Sequence, residues 1–132
     1  MALKITLKPG ERMIIGGAVI TNGDKPTEFV IENRVPVLRQ KDVMNEDEAD
    51  TPCRRIYFAI QLMYVDPANL SEYWRLFLQL ARDVGIAAPS TMPLLDGIGE
   101  DIASARYYRA LKKTKILINY EKELMENVRK SA

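Results

Sequence analysis

A chain of 132 residues with 47% hydrophobic composition is long enough to bury a core, which excludes a wholly disordered polypeptide. Its 19 Lys and Arg face 18 Asp and Glu, a formal net charge of +1, so bulk electrostatics select no partner. It has no histidine and a single cysteine, Cys53, which removes the usual base near neutral pH, the commonest metal ligand and any internal disulfide framework.

Residues 3–8 alternate Leu3, Ile5 and Leu7 with Lys4, Thr6 and Lys8, the period-two pattern of a half-buried strand. Pro9-Gly10 marks a turn. Met13–Ile15 and Ala18–Ile20 read as two further strands around Gly16-Gly17, a pair that fits a bulge, a bend or a close backbone approach. Asn22-Gly23 is a tight-turn dipeptide. Phe29–Ile31 and Val35–Leu38 complete the set, with Pro36 on a sheet edge because it has no N–H to give the ladder.

The period then changes. Residues 42–52 carry five anions and no cation, an acidic connector between two halves of net charge +3 each. The acidic cluster lacks the ligand spacing and glycine of a calcium loop, and reads as a solvated loop. Thr51-Pro52 is a helix start, with threonine as N-cap and proline at the first helical position. Asp66-Pro67 repeats the signal, and Leu70, Trp74, Phe77, Leu78, Ala81 and Val84 form the following apolar stripe, with Gly85 as its stop. Residues 86–99, with two prolines and two glycines, read as a loop. From Glu100 to the end there is neither, which predicts one long helix with Glu100 and Asp101 at its favourable N-terminal end. Its seam runs through Ile102, Leu111, Leu117, Ile118, Leu124, Met125 and Val128, interrupted by Thr114 and Glu121, and its tail is suited to pairing two copies as a homodimer.

The expected fold is therefore α+β: a small antiparallel, barrel-like β lobe over 1–41 and a helical lobe over 42–132, together one compact unit. No Walker, dinucleotide or zinc spacing occurs, and no catalytic residue, metal or cofactor is indicated, so the chain reads as a binder and not an enzyme. There is no signal-peptide pattern and no membrane-length apolar run, which points to a cytoplasmic protein.

Three basic stretches are candidate RNA contacts, each also explicable as a solvated face. Lys4, Lys8 and Arg12 decorate the first strands and suit phosphate tracking. Arg54 and Arg55 open the helix bearing Tyr57, Phe58 and Tyr64, a pairing suited to base stacking, although Glu48 and Asp50 are close enough to neutralise them internally. The stretch "RYYRALKKTK" places Arg106, Arg109 and Lys113 on one helical face beside Tyr107 and Tyr108.

"LKITLKPGERMIIGGAVITNGD", then "VLRQKDVM" and "TPCRRIYFAIQLMYVDP", together resemble the FlbT family of flagellar-biosynthesis repressors of alphaproteobacteria over most of residues 3–67. That resemblance implies a cytoplasmic post-transcriptional regulator that associates with the 5′ untranslated region of flagellin mRNA and promotes its decay. In some relatives the effect is positive, and a companion regulator, FlaF, acts in the same pathway. The resemblance carries no RNA-contact residues with it. The alternative is a protein–protein adaptor acting with FlaF or flagellin.

Overall fold

A computed structural model describes residues 2–131, and its fold is α+β. The chain forms two units, the first ending at Val43 and the second beginning at Met44.

The first unit holds β1 (Leu3–Leu7), β2 (Arg12–Ile15), β3 (Ala18–Thr21), β4 (Thr27–Ile31) and β5 (Val37–Arg39). β1 pairs antiparallel with β4, Leu3 opposite Ile31 and Leu7 opposite Thr27. β2 is the centre of a second antiparallel sheet in the order β3-β2-β5. Because β2 spends both edges on β3 and β5, it offers none to β1, and the expected barrel does not close. Ile5, Leu7 and Met13 form the buried cluster, with Ile15, Phe29, Ile31 and Val37 packed against it. Lys4 and Thr6, on the alternate positions of β1, face solvent.

Gly16-Gly17 is a two-residue hairpin turn, since Ile15 lies directly opposite Ala18. Gly16 has φ +61°, a conformation that glycine adopts without steric cost. Asn22 organises the next turn by its side chain: Nδ2 donates to the carbonyls of Lys8 and Lys25, both at 2.9 Å, and Oδ1 accepts from the Thr27 hydroxyl at 2.8 Å. Pro36 immediately precedes the edge strand β5, and its carbonyl accepts from the Gly16 N–H at 2.7 Å.

In the second unit the helices are α1 (Pro52–Val65), α2 (Leu70–Ala87), α3 (Met92–Ala103) and α4 (Tyr107–Ser131). Thr51 caps α1, its Oγ accepting from the Arg54 N–H at 3.2 Å, with Pro52 at the first turn. α1 is the central helix, buried at Cys53, Ile56, Tyr57, Ala59, Ile60, Gln61 and Met63, and it packs against α2 and α4. The buried Gln61 amide is satisfied by one residue: Oε1 accepts from the Met44 N–H at 2.8 Å and Nε2 donates to the Met44 carbonyl at 2.9 Å. That pair anchors the start of the unit.

Three boundaries differ from the expectation. After Asp66 a short 3-10 turn, Pro67–Asn69, precedes α2; the Asp66 carboxylate accepts from Asn69 Nδ2 and the Tyr73 hydroxyl instead of capping backbone. Gly85 does not stop α2 but lies buried inside it, because the Met92 side chain occupies the space where its Cβ would stand. Most of the expected loop over 86–99 is helix: Pro93 sits in the first turn of α3, where its missing N–H costs nothing.

The long C-terminal helix is α4, which starts at Tyr107 and not at Glu100. α3 ends in a Schellman arrangement, with the Arg106 N–H on the Asp101 carbonyl (2.7 Å) and the Ala105 N–H on the Ile102 carbonyl (3.0 Å). Ala105 occupies the left-handed position at φ +58°, where glycine is usual. Glu100 and Asp101 therefore sit at the C-terminal end of a helix, where the dipole disfavours anions. Ala105→Gly is expected to raise stability by about 0.5 kcal/mol, the relief of αL strain exceeding the added chain entropy. Urea unfolding followed through Trp74 checks this.

Candidate nucleic-acid interface

The eight sequence-derived cations divide between the two units, Lys4, Lys8 and Arg12 in the first and Arg54, Arg55, Arg106, Arg109 and Lys113 in the second. In the first unit Lys4 lies within β1 and Lys8 directly follows it, whereas Arg12 opens β2 in the other sheet. Lys4 Nζ lies 3.3 Å from Glu28 Oε1 across the β1–β4 pair, so the exposed face of that sheet is mixed in charge. The Glu11 side chain comes back to Lys8, its carboxylate accepting from the Lys8 backbone N–H at 2.8 Å. Arg12 is exposed, its backbone N–H donated to Gln40 Oε1 at 2.7 Å.

At the start of α1, Arg54 forms a 2.6 Å ion pair with Asp50, one turn earlier. The hydrogen bond from Arg54 holds the Asp50 carboxyl below the ordinary range. This answers the problem of a cation at a helix N-terminus from within the chain. Arg55 is exposed. Tyr57 is buried and Tyr64 is stacked on Tyr107 at 6.1 Å between centroids, so neither presents a free ring to a base.

The Tyr64–Tyr107 stack also orients α4. Its beginning lies against the end of α1, while Glu121, further along, meets the start of α1. The two helices are antiparallel, and the Arg54–Arg55 pair is separated from Arg106 and Arg109 by roughly 15 Å of helix.

Around the α3–α4 corner the charge is more one-sided. Residues 102–120 contain five cations and no anion. Lys113, half-buried, is spent on a structural partner: its Nζ is 2.8 Å from Asp101 Oδ2, a carboxylate buried on α3. Lys115 also has an interaction within the chain. Arg106, Arg109 and Lys112 are exposed. Lys112 Nζ lies 5.0 Å from the ring centroid of Tyr108, which is 41% exposed. The exposed cations at the start of α4 are thus Arg106, Arg109 and Lys112, with the accessible Tyr108 among them in sequence, and the lysine left exposed is Lys112 and not Lys113. The four-residue spacing of Tyr108 and Lys112 was the sequence signal for it.

The expected seam of α4 divides likewise. Leu111 and Leu117 are core, Thr114 is buried with its hydroxyl donated to the Ala110 carbonyl at 2.7 Å, and Met125 and Val128 are exposed. Glu121 is no simple interruption: its Oε1 accepts from the Thr51 hydroxyl at 2.6 Å and its Oε2 from the Cys53 N–H at 3.1 Å. Burial first, and the neighbouring Glu121 carboxylate next, push the Cys53 thiol well above its ordinary value, which leaves it unreactive. Among the described residues no helix is long and apolar enough to cross a membrane, and no cluster of three potential metal ligands occurs.

The family model described as flagellar protein FlbT matches residues 3–125. A Bradyrhizobium diazoefficiens protein named probable flagellum biosynthesis repressor protein FlbT 1 is 42% identical over 125 residues, covering 94% of this chain and 85% of its own. A Caulobacter species has a probable flagellum biosynthesis repressor protein FlbT that is 38% identical, with 97% and 99% coverage. The flagellum biosynthesis repressor protein FlbT of Caulobacter vibrioides is 36% identical, with 97% and 92% coverage. No solved structure matches the chain.

Proposed function

Since the chain belongs to the FlbT family of flagellar proteins, we propose that it represses flagellum biosynthesis after transcription, by binding the 5′ untranslated region of flagellin mRNA and promoting its decay. The names of its relatives support the repressor role. One observation supports RNA as the target: the exposed Arg106, Arg109 and Lys112 and the accessible Tyr108 ring, over which Lys112 lies, in a stretch without a carboxylate. Such a face offers phosphate contacts beside a stacking surface. Binding there blocks ribosome loading or exposes the leader to a nuclease of the cell, and asks no catalysis of the protein.

The test is binding to a labelled flagellin-leader RNA across a salt series, with an unrelated RNA of equal length as competitor. Affinity is expected to fall steeply with salt. The triple variant Arg106→Ala, Arg109→Ala, Lys112→Ala is expected to bind at least ~10-fold more weakly and to lower the salt slope by about 2. Lys4→Ala, which removes an already paired cation, is expected to change little. Absent binding, or equal displacement by the unrelated RNA, overturns the reading. The exposed Met125 and Val128 on α4 favour a second reading, an adaptor contacting FlaF or flagellin through that helix. It predicts salt-tolerant complexes that Val128→Glu abolishes.

A further inference from the structure

Between α2 and α3 lies an open groove of about 660 Å³. Trp74, Ala81 and Gly85 follow helical spacing along its α2 wall. Its floor is core, with Phe77 and Leu95 buried, but three apolar side chains of its walls are not: Leu78 is 47% exposed, Ile86 69% and Met92 45%. The rims differ in sign. On α2, Arg82 stands between Leu78 and Ile86 at four-residue spacing; on α3, Asp96 and Glu100 follow Met92 at the same spacing. All three charged side chains are on exposed residues, and among the described residues none is paired within the chain.

We propose that this groove is the interface of a two-fold symmetric dimer, its occupant a second copy of the same chain. A two-fold interface apposes one patch to itself, so the patch must be self-complementary. A groove with rims of one sign would repel its copy, whereas this one sets the cationic rim of α2 against the anionic rim of α3 in the partner. The lengths also agree. Leu78–Arg82–Ile86 and Met92–Asp96–Glu100 each span nine residues, and the eight steps between their ends cover about 12 Å of helix. Antiparallel apposition places Arg82 between the carboxylates of the other copy and covers Leu78, Ile86 and Met92. The inference is independent of the RNA reading and uses none of its residues.

Sedimentation velocity over a concentration series tests it, together with Trp74 emission, since Trp74 is the only tryptophan and lines the groove. The protein is expected to dimerise, with a blue shift of emission that tracks dimer fraction. Ile86→Glu is expected to give a monomer. Arg82→Glu and Glu100→Arg are each expected to weaken the dimer at least ~10-fold. An equimolar mixture of these two variants is expected to restore part of the affinity, because in the mixed dimer the two substituted positions meet with opposite charge at one rim contact and the native Arg82 and Glu100 meet at the other, while Asp96 of one copy still faces a like charge. That restoration separates loss of contact from loss of folding. A wild-type protein that stays monomeric overturns the proposal. So does a dimer indifferent to these variants but lost on Val128→Glu, or a mixture that fails to reassociate.

Discussion

Lys113→Met is expected to lower the unfolding free energy of the helical unit by about 2–3 kcal/mol, more than any other single change of an exposed or half-exposed cation in the chain. Its partner Asp101 is 3% exposed and sits at the unfavourable end of α3, so removing the ammonium leaves a buried carboxylate with no counter-charge. A lost buried pair costs about 3–5 kcal/mol in general, and the partial exposure of Lys113 reduces that. Methionine keeps the packing of the stem, so the loss reports charge. Removing both charges, in Asp101→Asn with Lys113→Met, is expected to recover at least half of the deficit. Urea unfolding followed through Trp74 measures each corner of this cycle. A cost below about 0.5 kcal/mol for Lys113→Met would reduce the pair to the level of the exposed Lys4–Glu28 bridge and remove it as the latch between α3 and α4.

Glu121→Ala should cost about 2 kcal/mol or more. The carboxylate accepts two hydrogen bonds at the N-terminus of α1 and faces the positive end of that helix. Loss of Glu121 leaves the Cys53 N–H without its acceptor and the Thr51 hydroxyl without the group that holds it in place as cap. Glu121→Gln retains one acceptor and is expected to lose about half as much. The measurement is again the urea midpoint, and no loss for Glu121→Gln beside a full loss for Glu121→Ala would show that the charge contributes nothing beyond side-chain volume and one acceptor.

These two contacts mark where the sequence stops being legible. Strand alternation in residues 3–8, the dipeptides Gly16-Gly17 and Asn22-Gly23, and the Thr51-Pro52 start are local signals, and each has its local counterpart in the structure. The helix over Met92–Ala103 was hidden by Pro93, Gly97 and Gly99, residues that usually punctuate loops. Gly85 was misread for a related reason: the glycine answers to a packing neighbour, Met92, and not to a helix end. The break at Ala105 carries no punctuating residue at all; an alanine holds the left-handed position, and local backbone hydrogen bonds with the Lys113–Asp101 pair hold the corner. Site residues followed the same rule. Which lysine of the 112–113 pair stays free depends on a carboxylate in another helix, and the burial of Tyr57 and stacking of Tyr64 depend on what packs upon α1.

The bridge from Glu121 to Thr51 spans 70 residues of sequence, and this has a consequence for synthesis on the ribosome. The first unit is complete in sequence at Val43 and has its hydrophobic cluster within it. The Thr51 cap of the central helix gains the carboxylate that holds it only after Glu121 has been added, and at roughly 5–20 residues per second that is about 4–16 s after Val43. The nascent chain therefore carries the complete sequence of the β unit ahead of a helix whose cap still lacks its distant partner. Completion of the C-terminal helix is the step that commits the helical half, so a truncated product of translation would retain the sheets and lose the arginine face.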